Sequence, residues 1–174
     1  DWSSDVCSSD LAEGVQEINL IAQDITAFGA DRNDGTTLAG LLRELVQVED
    51  LRWLRLLYAY PDGISDELMA LIADQEKICN YLDLPLQHIS DRMLRAMGRR
   101  CGGSETRELM SRLRERIPGV TVRTTFLVGY PGETAADFEE LLAFAETYEF
   151  ERLGVFTFSP EAGSIPILAF RAAR

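Results

Sequence analysis

The feature that most constrains the fold is a regular alternation of short apolar runs with longer stretches of helical periodicity. The apolar runs carry few charges, which is typical of parallel strands that are buried on both faces. Between the runs, apolar residues recur at spacings of three and four, as on the buried face of an amphipathic helix. The predicted strands are Glu17–Ala22, Trp53–Tyr60, Tyr81–Leu86, Thr121–Val128 and Leu153–Phe158.

Helices are predicted between these strands from apolar stripes and from capping residues. The resulting order, β-α-β-α-β-α-α-β-α-β, predicts the α/β class, with about five parallel strands and the helices outside. An open doubly wound sheet and part of a (βα) barrel both fit this order. Five helices are predicted. The first carries the stripe Leu38, Leu41, Leu42 and Leu45, and the second follows Ser65. The third runs from Ser90 to Gly98, the fourth runs from Ser104 to Ile117, and the fifth follows Thr134 with the stripe Phe138, Leu141, Leu142 and Ala145.

Polar residues follow the strands, at the edge where ligands of α/β proteins gather. Asp24 follows the first strand, His88 follows the third, and a Gly-Tyr-Pro-Gly turn at 129–132 follows the fourth. Asp24 is more typical of a turn-former than of an acid catalyst, and His88 is more typical of a structural histidine than of a base. The glycine-rich turn precedes a helix N-terminus, where backbone N–H groups favour anions.

The net charge of −12 argues against non-specific electrostatic binding of nucleic acid by the whole surface. The charge is uneven, because residues 92–116 contain eight arginines and three glutamates, a local charge of +5. Two solvated helix faces explain this segment most simply. A local basic patch at Arg92–Arg116 on an otherwise acidic body is the alternative.

The rest of the composition excludes several classes of protein and several kinds of metal site. No apolar run is long enough for a transmembrane helix, and the first residues lack the basic region of a secretory signal. We therefore expect no membrane contact and a cytoplasmic location. Cys7, Cys79 and Cys101 are too far apart for a clustered metal motif, and a single histidine excludes sites that need two.

Four segments, in order, resemble one enzyme family. They are residues 17–24 (EINLIAQD), 81–90 (YLDLPLQHIS), 124–134 (TTFLVGYPGET) and 154–161 (GVFTFSPE). This pattern is similar to the radical S-adenosylmethionine methylthiotransferases, in particular the branch that methylthiolates an aspartate of a small-subunit ribosomal protein. The sister branch, which modifies adenosine in transfer RNA, usually reads Gln-Ser-Gly where this chain reads Gln87-His88-Ile89-Ser90. The resemblance implies a partial (βα) barrel of the radical SAM type.

The resemblance also implies cofactors: S-adenosylmethionine and two 4Fe–4S clusters in the full-length family. Three cysteines in a C-x-x-x-C-x-x-C loop hold one cluster, and the 5′-deoxyadenosyl radical formed there abstracts hydrogen from the substrate β-carbon. This sequence has no such loop, and a cluster needs closely placed thiolates. We therefore expect an internal fragment that binds none of these cofactors stably and is inactive alone.

The resemblance assigns no metal ligand and no catalytic residue to this chain. Residues 1–11 repeat Ser-Ser-Asp and have no helical or strand period, so we predict a foreign or adapter-like, disordered segment there. The resemblance divides the rest into a partial barrel at 12–164 and a non-family tail at 165–174. The alternatives are the transfer RNA branch, a non-catalytic module that binds the ribosome through Arg92–Arg116, and, least favoured, a hydrolase using Asp24 and Glu133. The cofactor contacts implied by the family motifs are Gln23, Asp24, Gln87, Arg123, Thr125, Leu127, Glu133 and Phe158.

Overall fold

A computed structural model describes residues 13–160 of the chain. The predicted segments at 1–11 and 165–174 lie outside the described residues, so their assignments stay predictions. The predicted order of strands and helices is confirmed, with two added 3-10 turns at Ile25–Ala27 and Pro61–Gly63. The strands are β1 (Glu17–Ile21), β2 (Trp53–Leu57), β3 (Ile78–Gln87), β4 (Thr121–Val128) and β5 (Arg152–Thr157), and the helices are α1 (Leu38–Leu45), α2 (Asp66–Asp74), α3 (Asp91–Ala96), α4 (Gly103–Arg116) and α5 (Ala135–Tyr148).

The five strands form one parallel sheet in sequential order, from β1 to β5. Each successive pair is joined through at least one helix, so every carboxyl end reaches the same edge of the sheet. This arrangement confirms the predicted α/β partial barrel. No helix within residues 13–160 is both long and apolar enough to cross a bilayer.

Two strands end at different residues from those predicted, and the backbone conformation explains both differences. β2 ends at Leu57 rather than Tyr60, because Tyr58 takes a left-handed φ of 57° that extended strand does not allow. β3 is longer than predicted and continues through Pro85, which lies where the register with β4 shifts. Proline is tolerated at such irregularities, since no ladder hydrogen bond is required of it there.

Smaller corrections concern the other ends. β1 stops one residue earlier than predicted, and β5 is displaced by one residue, so that Phe158 follows the strand instead of belonging to it. Ser104 does not cap α4, because the helix already begins at Gly103. The Glu105 carboxylate accepts from the Gly102 N–H at 2.8 Å instead. A Cβ at Gly103 would lie 2.2 Å from the Ile89 carbonyl oxygen, so this close approach requires glycine.

The hydrophobic core lies between the sheet and the helices. In β4, Val122, Thr124 and Phe126 are buried on the face covered by helices. Thr37 and Ser65 cap α1 and α2 by accepting from the N–H groups of Gly40 and Leu68, at 3.0 Å and 3.1 Å. These caps fix where each helix begins and therefore which of its residues reach the core.

The apolar stripe predicted for α5 is partly wrong. Phe138 and Leu142 are 46% and 48% exposed, whereas Leu141 and Phe144 are buried. The face turned to the sheet starts at Asp137, which side-chain contacts hold inward, and this rotates the predicted stripe. Phe144 then packs with Phe126, Phe150 and Tyr148, with ring centroids 4.7–6.2 Å apart.

Truncating this aromatic cluster should destabilise the fold far more than truncating its exposed neighbour. We expect Phe144→Ala to lower the free energy of unfolding by about 3–5 kcal/mol, because it leaves a cavity beside Phe126. Leu142→Ala on the same helix should cost less than about 1 kcal/mol. Urea unfolding of both variants measures the difference, and equal losses would contradict the packing described for α5.

Candidate functional site

The candidate site is the mouth of the sheet, where the five strands end. Of the eight residues with implied cofactor contacts, Gln23, Asp24, Gln87, Glu133 and Phe158 lie at or just beyond strand ends. The structure therefore brings residues that are distant in sequence to one edge. The other three, Arg123, Thr125 and Leu127, lie within β4.

The three β4 residues share one face of the strand. They alternate with Val122, Thr124 and Phe126, which are buried on the helix-covered face. Arg123, Thr125 and Leu127 therefore lie on the opposite, inner face of the sheet, which holds them in one row. Sequence alone left the facing of these residues open, and helix coverage decides it.

The buried carboxylate Asp83 organises the inner face between β2 and β4. It is 1% exposed and accepts from Arg123 Nη1 and from the Tyr58 N–H, both at 3.4 Å. Its own backbone oxygen accepts from the Ala59 N–H at 2.8 Å. Asp83 therefore ties the end of β2 to β3 while its charge is compensated by the guanidinium of β4.

At the end of β1, Asp24 acts as a turn-former. Its Oδ1 accepts from the Thr26 N–H at 3.0 Å and also from the Thr26 hydroxyl, which caps the 3-10 turn. The neighbouring Gln23 is exposed. A cofactor contact through the free lone pairs of Asp24 stays a prediction, and the exposed amide of Gln23 is the more accessible of the two groups.

At the end of β3, Gln87 occupies a strained turn. Its φ is 69°, and the His88 N–H donates across it to the Leu86 carbonyl oxygen at 2.9 Å. A hydrogen bond between residues i and i+2 over a left-handed centre defines a rare γ-turn. This turn sends His88 inward, where it is fully buried.

His88 is held in one tautomer by the backbone. Its Nδ1 accepts from the N–H groups of Ile89 and Ser90, at 2.9 Å and 3.0 Å. Two donors aimed at Nδ1 leave no room for a proton there, so Nε2 carries the hydrogen and points to Glu133 Oε1 at 3.5 Å. The imidazole is a hydrogen-bond donor in this site, and its buried position supports the structural role over the general base.

Glu133 occupies the anion site that the sequence predicted. Its Oε2 accepts from the N–H groups of Gly129 and Tyr130, and its side chain is only 7% exposed. Two backbone donors of the glycine-rich turn are therefore already satisfied by a carboxylate of the same loop. The sequence signal for this contact is the four-residue spacing between Gly129 and Glu133, which places a carboxylate within reach of the turn.

Asp137 joins the same loop to the start of α3. It accepts from the Ser90 hydroxyl at 2.6 Å, from the Thr134 N–H at 2.9 Å and from the Arg92 guanidinium. Thr134 and Asp137 form the predicted capping box of α5. Hydrogen bonds from Ser90 and then Thr134 hold the pKa of Asp137 well below its usual range, because they stabilise the ionised carboxylate.

Beside the loop lies an open cleft of about 430 Å³, formed by the end of β4 and the first turn of α5. Phe158 lies next to it, its ring edge-to-face with Tyr130 at a centroid distance of 5.3 Å. The Phe158 N–H donates to the Val128 carbonyl oxygen at 2.8 Å. Part of an organic ligand can bind here, between the cleft, the Tyr130–Phe158 aromatic pair and the end of β5.

The arginine-rich segment is largely neutralised by ion pairs. Arg95 has no carboxylate within ion-pair distance among residues 13–160, and Arg99 stacks over the Tyr60 ring. This supports the interpretation as solvated helix faces, and ribosome contact through the segment stays a prediction. The six ion-paired arginines are Arg92, Arg100, Arg107, Arg112, Arg114 and Arg116.

The residues described do not fit an iron–sulfur cluster. Cys79 lies near the start of β3, away from the mouth, and Cys101 lies in the loop before α4. Burial raises the pKa of both thiols, which disfavours the thiolate that binds iron. Within residues 13–160, no group of three or more His, Cys, Asp or Glu residues could hold a metal ion.

Comparison with known proteins defines the family. Residues 9–145 match the profile of the Radical SAM superfamily, which covers most of the chain. The chain therefore belongs to the radical SAM superfamily.

Curated relatives show which branch of the superfamily this chain resembles. The chain is 62% identical over 160 residues to the ribosomal protein uS12 methylthiotransferase RimO of Syntrophotalea carbinolica, covering 90% of this chain and 35% of that protein. It is 56% identical over 153 residues to RimO of Pelobacter propionicus, covering 88% and 34%. The predicted resemblance to radical SAM methylthiotransferases is confirmed, and the chain spans about a third of the length of these relatives.

A solved structure confirms the fold. The chain matches the radical S-adenosylmethionine methyltransferase TsrM from Kitasatospora setae, solved with cobalamin and a [4Fe-4S] cluster bound, with a TM-score of 0.68. The match covers 88% of this chain and 29% of that one at 22% identity, so it supports the architecture alone.

Low pH should reduce the stability that Asp137 gives to the loop between β4 and α5. Because its native pKa is lowered, the ionised carboxylate stabilises the fold above the ordinary aspartate pKa of about 3.9, and this stabilisation is lost as pH falls through the lowered native pKa. We expect Asp137→Asn to flatten the fall in free energy of unfolding below about pH 4. Urea unfolding as a function of pH measures the slope, with the exposed Asp50→Asn as control. Equal slopes in both variants would contradict the account.

Proposed function

We propose that this chain is the central part of a radical SAM methylthiotransferase that adds a methylthio group to the β-carbon of an aspartate in ribosomal protein uS12. The observation that carries the proposal is the 62% identity over 160 residues to RimO of Syntrophotalea carbinolica. The strand-end reading Gln87-His88-Ile89-Ser90 favours this branch over the transfer RNA branch. We place the parent enzyme in the cytoplasm.

The mouth supports such a role through the chemistry of its exposed and half-buried groups. The Gln23 and Gln87 amides can each donate to and accept from a polar ligand. Arg123, Thr125 and Leu127 present a charge, a hydroxyl and an apolar side chain from one face of β4. We assign these groups, with Asp24 and the Phe158 region, to S-adenosylmethionine. Glu133 acts indirectly, because its carboxylate holds the Gly129 turn in shape.

The cofactors of the parent enzyme are S-adenosylmethionine and two 4Fe–4S clusters. When bound, they supply the radical that removes hydrogen from the substrate carbon and the sulfur that replaces it. Cys79 and Cys101 are separated and half-buried, so we propose that this chain alone holds none of these groups stably. Reconstitution with iron and sulfide should leave no stoichiometric 4Fe–4S absorbance, and a full cluster would refute this.

A segment exchange tests the function of this chain's residues. The matching segment of Syntrophotalea carbinolica RimO is replaced by residues 13–160, and the hybrid is incubated with uS12, S-adenosylmethionine and reductant. We expect uS12 to gain the mass of a methylthio group on an aspartate. A folded, cluster-loaded hybrid that modifies transfer RNA instead, or that modifies neither substrate, would contradict the proposal.

Two glutamines provide matched variants for this hybrid. Gln87→Ala removes an amide at the mouth and should lower the rate of methylthiolation about tenfold or more, as expected for a lost hydrogen bond to a charged ligand. Gln47→Ala removes an exposed amide that only donates weakly to the Arg43 carbonyl oxygen, and should leave the rate unchanged. Equal rates in both variants would remove Gln87 from the site.

A further inference from the structure

Two residues at the mouth have a strained, left-handed backbone that no helix end explains. Among residues 13–160, three non-glycine residues take a left-handed φ: Tyr58 at 57°, Gln87 at 69° and Glu149 at 43°. Glu149 ends α5, where a left-handed residue is the ordinary way to terminate a helix. Tyr58 and Gln87 instead follow or end the adjacent strands β2 and β3, at the candidate site.

Tyrosine has no local reason to adopt this conformation. Asparagine, aspartate and glycine tolerate the left-handed region, whereas a bulky side chain there is an outlier. Tyr58 is 44% exposed as a residue, so packing does little to compensate for the strain. A glycine at this position would satisfy the same backbone path without the penalty.

The surrounding backbone nevertheless forces Tyr58 into place. Its N–H donates to the buried Asp83 carboxylate, and its carbonyl oxygen accepts from the Ile25 N–H at 3.0 Å. The next residue, Ala59, is buried and donates to the Asp83 carbonyl oxygen. Hydrogen bonds to both neighbouring segments over-determine the conformation, which is how strain persists at binding sites.

From these observations we propose that Tyr58 contacts a peptide segment of the protein substrate, and that Tyr58 is held in its left-handed conformation to present its ring to that segment. This inference rests on the proposed function and deepens it. The Tyr58 ring adds rigid apolar contact area at little cost in side-chain entropy.

Charge favours a peptide over RNA as the ligand. The chain has a net charge of −12, and six of the eight arginines between 92 and 116 are ion-paired to carboxylates. Of the eight, Arg95 and Arg99 alone lack a carboxylate within ion-pair distance in the described part of the chain, so the segment offers few charges to neutralise the phosphates that dominate RNA affinity.

The strain is tested with the full 174-residue chain by urea unfolding. Tyr58→Gly and Tyr58→Ala both remove the ring, but only alanine keeps the Cβ that the left-handed region disfavours. We expect the glycine variant to have the higher folding equilibrium constant, by about tenfold. In ordinary strand or helix backbone alanine is the more stable of the two, so the opposite order would overturn the premise of strain.

The contact is tested by the affinity of the same chain for purified uS12, measured by calorimetry. Both Tyr58→Gly and Tyr58→Ala should weaken binding about tenfold, although one is more stable than the other. Tyr58→Phe keeps the ring and should bind within about threefold of the parent chain, since a ring contact, unlike a hydroxyl contact, survives this change. A structural effect would follow stability instead, so affinities ranked by stability would overturn the inference.

Glu149→Gly is the matched control, because it relieves the same kind of strain at the far end of α5. It should raise stability and leave the affinity for uS12 unchanged. If the parent chain binds uS12 and Tyr58→Gly binds it equally well, the inference fails while the proposed function stands. If the parent chain binds a ribosomal RNA fragment and not uS12, both fail together.

Discussion

The mouth of this sheet depends on side-chain acceptors that satisfy backbone N–H groups where the strands end. A buried backbone donor without a partner is costly, and loops at the end of a parallel sheet leave several. Here the His88 imidazole accepts from Ile89 and Ser90, and the Glu133 carboxylate accepts from Gly129 and Tyr130. The contact between these two side chains joins the end of β3 to the loop after β4.

A further side-chain acceptor, Asp137, extends this connection from the strand ends to the helices. Asp137 satisfies the N-terminus of α5 and also binds Ser90 and Arg92 at the start of α3. The Arg92 guanidinium returns to the loop through the Gly132 carbonyl oxygen at 2.7 Å. The loop is thereby shaped before any ligand arrives, which is the preorganisation that a binding site needs.

The fold was predictable because its signals are local and periodic. The strand and helix order, the Ser65 cap and the capping box at Thr134 follow from spacing and residue type. The facing of Arg123, Thr125 and Leu127 needed tertiary information, because a strand alternates in the same way whichever face the helices cover. The left-handed backbone of Tyr58 had no sequence signal at all, since a tyrosine rarely occupies it.

The site was less predictable than the fold, because its chemistry depends on which groups are already engaged. Sequence identified the glycine-rich turn as an anion site, and the structure fills it with Glu133. The most direct test is the ring of His88, the single histidine of the chain, by nitrogen-15 correlation spectroscopy at pH 7. Our account predicts a protonated Nε2 and an unprotonated Nδ1. A proton on Nδ1 would contradict the arrangement from which the mouth is built.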